Sequence, residues 1–321
     1  MPYYDLAEDD LRAYAPDIAL PPDAVEFWTR TIGTSRALAR PAQFEPLNTG
    51  MRLLDTYDVT FSGYGGSPVR AWLHVPATSH TPLPVVVRYQ GYGGGRGLPI
   101  DTDVWPLSGY ACLIVDTRGQ GSAWSPGDTS DPDGSGPAHP GFMTRGILDP
   151  EQYYYRRVFT DAVLAVDAVR AHPLVRADQV VVTGASQGGG ISLAVAALLP
   201  DIAGVMADVP FLCDFRRAVR IAPTDPYGEI TRYLSVHRHK SRTVFSTLSY
   251  FDCAGLVTWA RVPALFSVAL MDQTCPPSTV YAAYNRYGGH KEIVEYPFND
   301  HEGGQGFQRE VQLHWLNEMW A

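Results

Sequence analysis

Six short, nearly continuous apolar runs constrain this chain more than any other feature. They are PLPVVVRYQ (82–90), YACLIVD (110–116), ADQVVVTG (177–184), IAGVMADVP (202–210), VPALFSVAL (262–270) and KEIVEYP (291–297). Runs of this length, rich in Val and Ile, suit strands buried on both faces of a parallel sheet. Helical patterns lie between several of them. In YYRRVFTDAVLAVDAVRAH (154–172), Val158, Ala162, Ala165, Val166 and Val169 fall on one side at helical spacing. QGGGISLAVAALLP and STVYAAYNRYGG are shorter helical candidates. Alternating strand and helix predict a doubly wound α/β sheet with right-handed crossovers. Ahead of it, MRLLDTYDVTFSG and PVRAWLHVP alternate with a period of two around GYGGS, which predicts an antiparallel hairpin at the N-terminal edge.

Two segments stand outside this rhythm. Residues 1–45 read as a helical extension: DLAEDDLRAY begins as a capped helix, and PPDAVEFWTRTIGTSRAL as a second with Pro21 and Pro22 at its start. Residues 211–261 hold no clear parallel strand and read as helices and loops, in FRRAVRIAP, DPYGEITRYLSVHRH and TVFSTLSYFD. An insertion placed there is expected to cap the carboxyl ends of the strands, where ligands bind in such sheets. The 321 residues suit one large domain, 1–321, with a substantial core. A net charge of −9 and no basic run argue against nucleic acid and anionic membranes as partners. Apolar runs such as GVMADVPFL are too short to cross a bilayer, and MPYYDLAEDDLRAY has no secretory-signal pattern. Cys112, Cys213, Cys253 and Cys275 have no metal-ligand spacing and read as free thiols in a reducing cytoplasm.

Chemistry enters at Gly184-Ala185-Ser186-Gln187-Gly188, a G-x-S-x-G directly after a strand run and before a helical pattern. A sharp strand-to-helix turn holds its central residue strained, and side chains two positions to either side would collide with neighbouring elements. Such a turn lifts a serine oxygen clear of the sheet, beside the donors of a helix N-terminus. Ser186 is therefore the candidate nucleophile. It needs a base, and the base an orienting acid, in the chain order Ser, acid, His. His237 and His239 lie in the insertion, His314 in the closing helix EVQLHWLNEMW, and His290 at the wrong end of the last strand. His301 follows KEIVEYPFND, past the carboxyl end of that strand, and is the expected base. The acid should follow VPALFSVAL, which points to Asp272. Asp252 and Asp208 lack that chain position, and Asp300 adjoins His301, from which its side chain diverges. An oxyanion needs two backbone N–H donors. Gln187, next to the nucleophile, supplies one. Tyr92, in the loop GYGGGRG after the strand PVVVRYQ, is the candidate for the other, its neighbouring glycines allowing close approach to a ligand.

DTRGQGS (116–122), GASQGGG (184–190) and HEGG (301–304) together resemble carbohydrate esterase family 7, the acetyl xylan esterases and cephalosporin C deacetylases. YDVTFSGYGG, PGFMTRGILDP, YYYRRVFTDAV, DVPFLCDFRRAV, TLSYFD and CPPSTVYAAYN fit as well, so the likeness covers essentially the whole chain. The resemblance implies an α/β-hydrolase with Ser186, Asp272 and His301 as triad and the N–H groups of Tyr92 and Gln187 as oxyanion hole. It implies that Arg118 and Gln120 organise loops beneath the site, and that no metal or cofactor is needed. It places Pro226, in the insertion, and Tyr92 in the substrate pocket. It also implies a cytoplasmic homohexamer that removes acetyl groups from small sugars or cephalosporin C. The triad by itself leaves open another α/β-hydrolase acting on a different small ester or lactone.

Overall fold

The computed structural model describes residues 3–320 apart from 133–135 and 137. Its strands are β1 (Gln43–Leu47), β2 (Leu54–Ser62), β3 (Pro68–Pro76), β4 (Leu83–Arg88), β5 (Ala111–Val115), β6 (Val175–Ala185), β7 (Gly204–Asp208), β8 (Ala264–Ala269) and β9 (Lys291–Tyr296). They form one sheet in the order β1-β2-β3-β5-β4-β6-β7-β8-β9. The expected hairpin is there: β2 pairs antiparallel with β3 in the register Leu54↔Pro76 to Ser62↔Pro68. From β5 to β9 every pairing is parallel. Five of the six apolar runs became the interior strands β4 to β8 for the reason their composition suggests; the sixth, β9, lies at the sheet edge and its residues are half-buried or exposed. Val85, Val86 and Val87, like Val180, Val181 and Val182, have no solvent exposure. Alternate residues serve opposite faces: Val85 and Val87 belong to the larger core, while Val86 packs with Trp105, Val181, Met206 and Leu316 on the other side.

The strand order reverses at β5-β4-β6, with helices on both sides of the sheet, so the carboxyl ends of β4 and β6 flank the crevice where such sheets bind ligands. Helices Tyr154–Val169, Gln187–Leu198 and Pro277–Arg286 contribute to the larger core, and helix Gln305–Met319 covers the opposite face. Between β7 and β8 the chain forms helices Phe215–Ile221, Tyr227–Val236, Ser241–Leu248 and Cys253–Leu256, all within the stretch read as an insertion. No helix of the described residues is long and apolar enough to cross a membrane.

The structure differs from the sequence reading in three places. β1 lies at the edge of the sheet, and its first residues fall within the stretch read as a helical extension. Its residues are mostly exposed and include Pro46, so no alternation marks it. The N-terminal helices are shorter than their patterns: Glu8–Ala13, and Ala24–Leu38 rather than a start at the prolines. Helix Tyr154–Val169 is buried nearly all round, beyond the expected stripe. Its polar residues are buried in pairs. Asp161 holds Arg118, accepting from Nη2 at 2.7 Å, and Arg157 donates to both oxygens of Asp131 at 2.9 and 2.7 Å.

Candidate active site

Ser186 joins β6 to helix Gln187–Leu198 with φ 57° and ψ −118°. A left-handed φ at a non-glycine residue costs on the order of 1–3 kcal/mol and persists only where surroundings enforce it. Here the Ser186 N–H donates to the Asp208 carbonyl at 2.9 Å, and the Ser186 carbonyl accepts from Gly190 and Phe211 at 3.0 and 2.9 Å. The flanking glycines are steric necessities. A Cβ at Gly184 would lie 2.5 Å from the Gly188 carbonyl carbon, and one at Gly188 would lie 2.3 Å from the Tyr89 carbonyl oxygen. The next two glycines are equally confined, against Asp208 and Phe211 backbone oxygens at 2.9 and 2.2 Å.

Asp272 lies just past β8 and is fully buried. One of its carboxylate oxygens accepts the N–H groups of Thr274 and Cys275, each at 2.8 Å, and the other meets His301 Nδ1 at 2.8 Å. A carboxylate at Nδ1 draws the proton there and leaves Nε2 free to accept one. Ser186 and His301 line the same cavity, of about 670 Å³. Among the described residues no hydrogen bond joins Ser186 Oγ to His301; Cys275 Sγ lies 4.0 Å from that oxygen. Serine–histidine bonds are commonly long before substrate binds.

The rival acids are engaged elsewhere. Asp300 accepts from the Gln273 N–H at 3.2 Å, and Asp252 accepts from Asp214 and Phe215 N–H at 2.9 and 3.0 Å. Asp208 accepts from Gln308, Gln312 and Ser267 side chains at 3.0, 2.8 and 3.2 Å, and burial pushes its carboxyl up to about 6. His237, His239, His290 and His314 are all exposed. Asp272, Cys275 and His301 bring potential metal-ligand atoms within 4.8 Å of one another. The first and last already bond to each other, and burial pushes the Cys275 thiol up, away from the thiolate a metal requires.

The loop after β4 carries Tyr92 into the cavity wall, which Pro226 of the insertion also lines. Among the described residues no protein acceptor takes the backbone N–H of Tyr92 or of Gln187. Two sequence readings change here. The room beside the loop glycines is filled by the chain itself, not left for a ligand. A Cβ at Gly94 would lie 2.1 Å from the Trp124 ring, and one at Gly95 2.3 Å from Gly127 Cα. The Trp124 indole N–H donates to the Tyr92 carbonyl at 2.8 Å. The Gln187 side chain also has a place, which sequence reasoning missed. It pairs amide to amide with Gln120, at 2.9 and 3.3 Å, and accepts the Tyr155 hydroxyl at 2.8 Å. Gln120 Oε1 in turn takes the Gly93 N–H at 2.7 Å. One buried pair of amides thus ties the Tyr92 loop to the Ser186 turn. The RGQG motif was the available signal for it.

The sequence profile of the acetyl xylan esterase family (AXE1) matches residues 1–319. An acetyl xylan esterase from Paenibacillus sp. R4 is 35% identical, with 98% of this chain and 99% of that one covered at a TM-score of 0.90. Acetyl xylan esterase 1 from Thermoanaerobacterium sp. JW/SL YS485 is 32% identical, covering 99% of this chain and 100% of that one, TM-score 0.89. The acetyl esterase Axe7A of Xylanibacter ruminicola is 27% identical over 161 residues, 50% of this chain but only 36% of that protein's length. At 13% identity, an acylaminoacyl peptidase of Pyrococcus horikoshii shares the fold alone, with a TM-score of 0.60 over 84% of this chain and 42% of that one. On the whole-chain profile and these full-length likenesses, the chain belongs to the acetyl xylan esterase family, carboxylic ester hydrolases of the α/β-hydrolase fold.

Proposed function

We propose that this chain is a serine esterase that removes acetyl groups from small acetylated substrates through an acetyl-enzyme. The observation that carries the reading is the convergence of three chain-distant groups. His301, bonded at 2.8 Å to the buried Asp272 behind it, and the strained Ser186 turn line one cavity. In the reaction His301 Nε2 takes the Ser186 proton as the oxygen attacks the acetyl carbonyl. The N–H groups of Gln187 and Tyr92 hold the oxyanion. The alcohol leaves with the proton from His301. Water, deprotonated by the same nitrogen, then attacks the acetyl-enzyme and releases acetate and Ser186. Asp272 keeps the imidazole in its Nδ1–H form and stabilises its protonated state.

A cavity of about 670 Å³ suits a small molecule rather than a polymer face. Acetylated xylo-oligosaccharides and cephalosporin C are the substrates proposed, with the family resemblance as support. The same resemblance supports a homohexamer in the cytoplasm, and neither metal nor cofactor enters the scheme. Ser186→Ala is expected to lower kcat on 4-nitrophenyl acetate by on the order of 10⁶-fold and to abolish labelling by a fluorophosphonate. Near-normal turnover by that variant would remove Ser186 as nucleophile. A panel of acetyl, butyryl and amide substrates checks the specificity, and preference for the amide would remove the deacetylase reading.

A further inference from the structure

The Tyr92 hydroxyl is a junction of three segments. It accepts the Gly141 and Phe142 N–H groups at 3.2 and 2.7 Å, which occupies both of its lone pairs. Its single proton then requires an acceptor, and Glu229 Oε1 supplies one at 2.7 Å. The other Glu229 oxygen accepts the Met143 N–H at 3.0 Å. Both partners of this carboxylate are donors, so it serves as an acceptor on both oxygens. Glu229 sits in the first turn of helix Tyr227–Val236, within the insertion. The backbone around Tyr92 is held by the loop after β5, its carbonyl by Trp124 and the following N–H by Gln120. Its ring meets Phe142 and Phe211 edge to face at 5.6 and 6.3 Å. The residue lines the cavity and is pinned at both ends, while among the described residues its own N–H has no protein acceptor.

We propose that Glu229 is a positioning residue for catalysis: by accepting the Tyr92 hydroxyl, it lets the helical insertion set the direction of the Tyr92 N–H toward the oxyanion. This rests on the oxyanion hole proposed above. An amide at position 229 has one acceptor and one donor. Turned either way, it sets a donor against the Tyr92 hydroxyl or the Met143 N–H. Neither residue touches the leaving group in this scheme, so the effect belongs to the transition state rather than to substrate binding.

Glu229→Gln is nearly isosteric. Its kcat on 4-nitrophenyl acetate is expected to fall about tenfold or more, with KM within about twofold and the thermal midpoint little moved. Affinity for a trifluoromethyl ketone, whose serine adduct places an oxyanion in the hole, is expected to fall by a similar factor. Tyr92→Phe keeps the N–H but loses the hydroxyl and should show the same split. The double variant should be no worse than either single one. Tyr92→Phe carries the test if Glu229→Gln does not fold. Wild-type kcat in either variant, losses that multiply, or unchanged ketone affinity would overturn the role of Glu229. Fluorophosphonate labelling of the wild type separates the two levels. If Ser186 is labelled and the variants keep full kcat, only the Glu229 proposal falls; if Ser186 is not labelled, the esterase mechanism falls with it.

Discussion

At the scale of single residues, the candidate site depends on atoms that have no room to move. Gly188 carries no side chain because the Tyr89 carbonyl occupies the space a Cβ would need. Gln120 and Gln187 face each other as paired amides, and Gly93 hangs its N–H on the same Gln120 oxygen. Both amide side chains are fully buried, so removing one leaves the other's donors and acceptors without water. Gln120→Leu fills much the same volume but orphans the Gly93 N–H and breaks the amide pairing, leaving Gln187 with only the Gln90 carbonyl and the Tyr155 hydroxyl. Each orphaned buried group costs about 1–3 kcal/mol. The variant is expected to unfold at lower urea concentration and to lose kcat, because the freed loop is the one that carries Tyr92. Urea titration and steady-state kinetics on the same preparation check both.

At the scale of elements, the closing helix Gln305–Met319 is tied to the Ser186 turn through Asp208. Its side chain accepts from Gln308 and Gln312, and its carbonyl accepts from the Ser186 N–H. Burial raises the Asp208 carboxyl from 3.8 to about 6, against the pull of its three side-chain donors. The folded state therefore holds this proton where the unfolded chain has released it. The contribution to stability is full below 3.8 and is lost as pH rises through about 6, a change of about 3 kcal/mol. Asp208→Asn cannot titrate. The stability of the wild type minus that of this variant should fall between pH 4 and pH 7. Urea unfolding at several pH values reads the slope, and a flat difference would contradict the raised carboxyl. Helix Tyr154–Val169 shows why element patterns mislead. Its apolar stripe was legible, but its polar side is also buried because Arg118 and Asp131 supply partners from the loop after β5.

At the scale of the molecule, chain segments far apart in sequence converge on Asp272, the candidate orienting acid. The Tyr4 hydroxyl donates to the Asp272 carbonyl at 2.7 Å, and Asp5 accepts the Ser278 N–H at 2.8 Å at the start of the helix that follows. The N-terminal segment is thus bound to the site rather than draped over the surface. The proposed hexamer belongs to this scale too. Light scattering on the intact protein is expected to give six times the chain mass, and a monomer would overturn the proposed assembly and any filter on substrate size that it imposes.

Eight of the nine strands were legible: β4 to β8 because their Val and Ile runs are buried on both faces, β9 as a further run at the far edge, and β2 and β3 from their period-two alternation. Ser186, Asp272 and His301 were legible because chain order ties each to the end of a strand. Edge strand β1 was not, since its exposed residues carry no periodicity. The amide pair of Gln120 and Gln187, the seat of Trp124 on Gly94 and the bond from Glu229 to Tyr92 were not either. The sequence by itself determined the alternating sheet, the Ser186 turn and the order of the three candidate catalytic residues, because these follow from local backbone sterics and from burial. Only the tertiary structure decided which polar groups meet, because a hydrogen bond depends on separations of a few tenths of an ångström between segments that the chain brings together only when it folds.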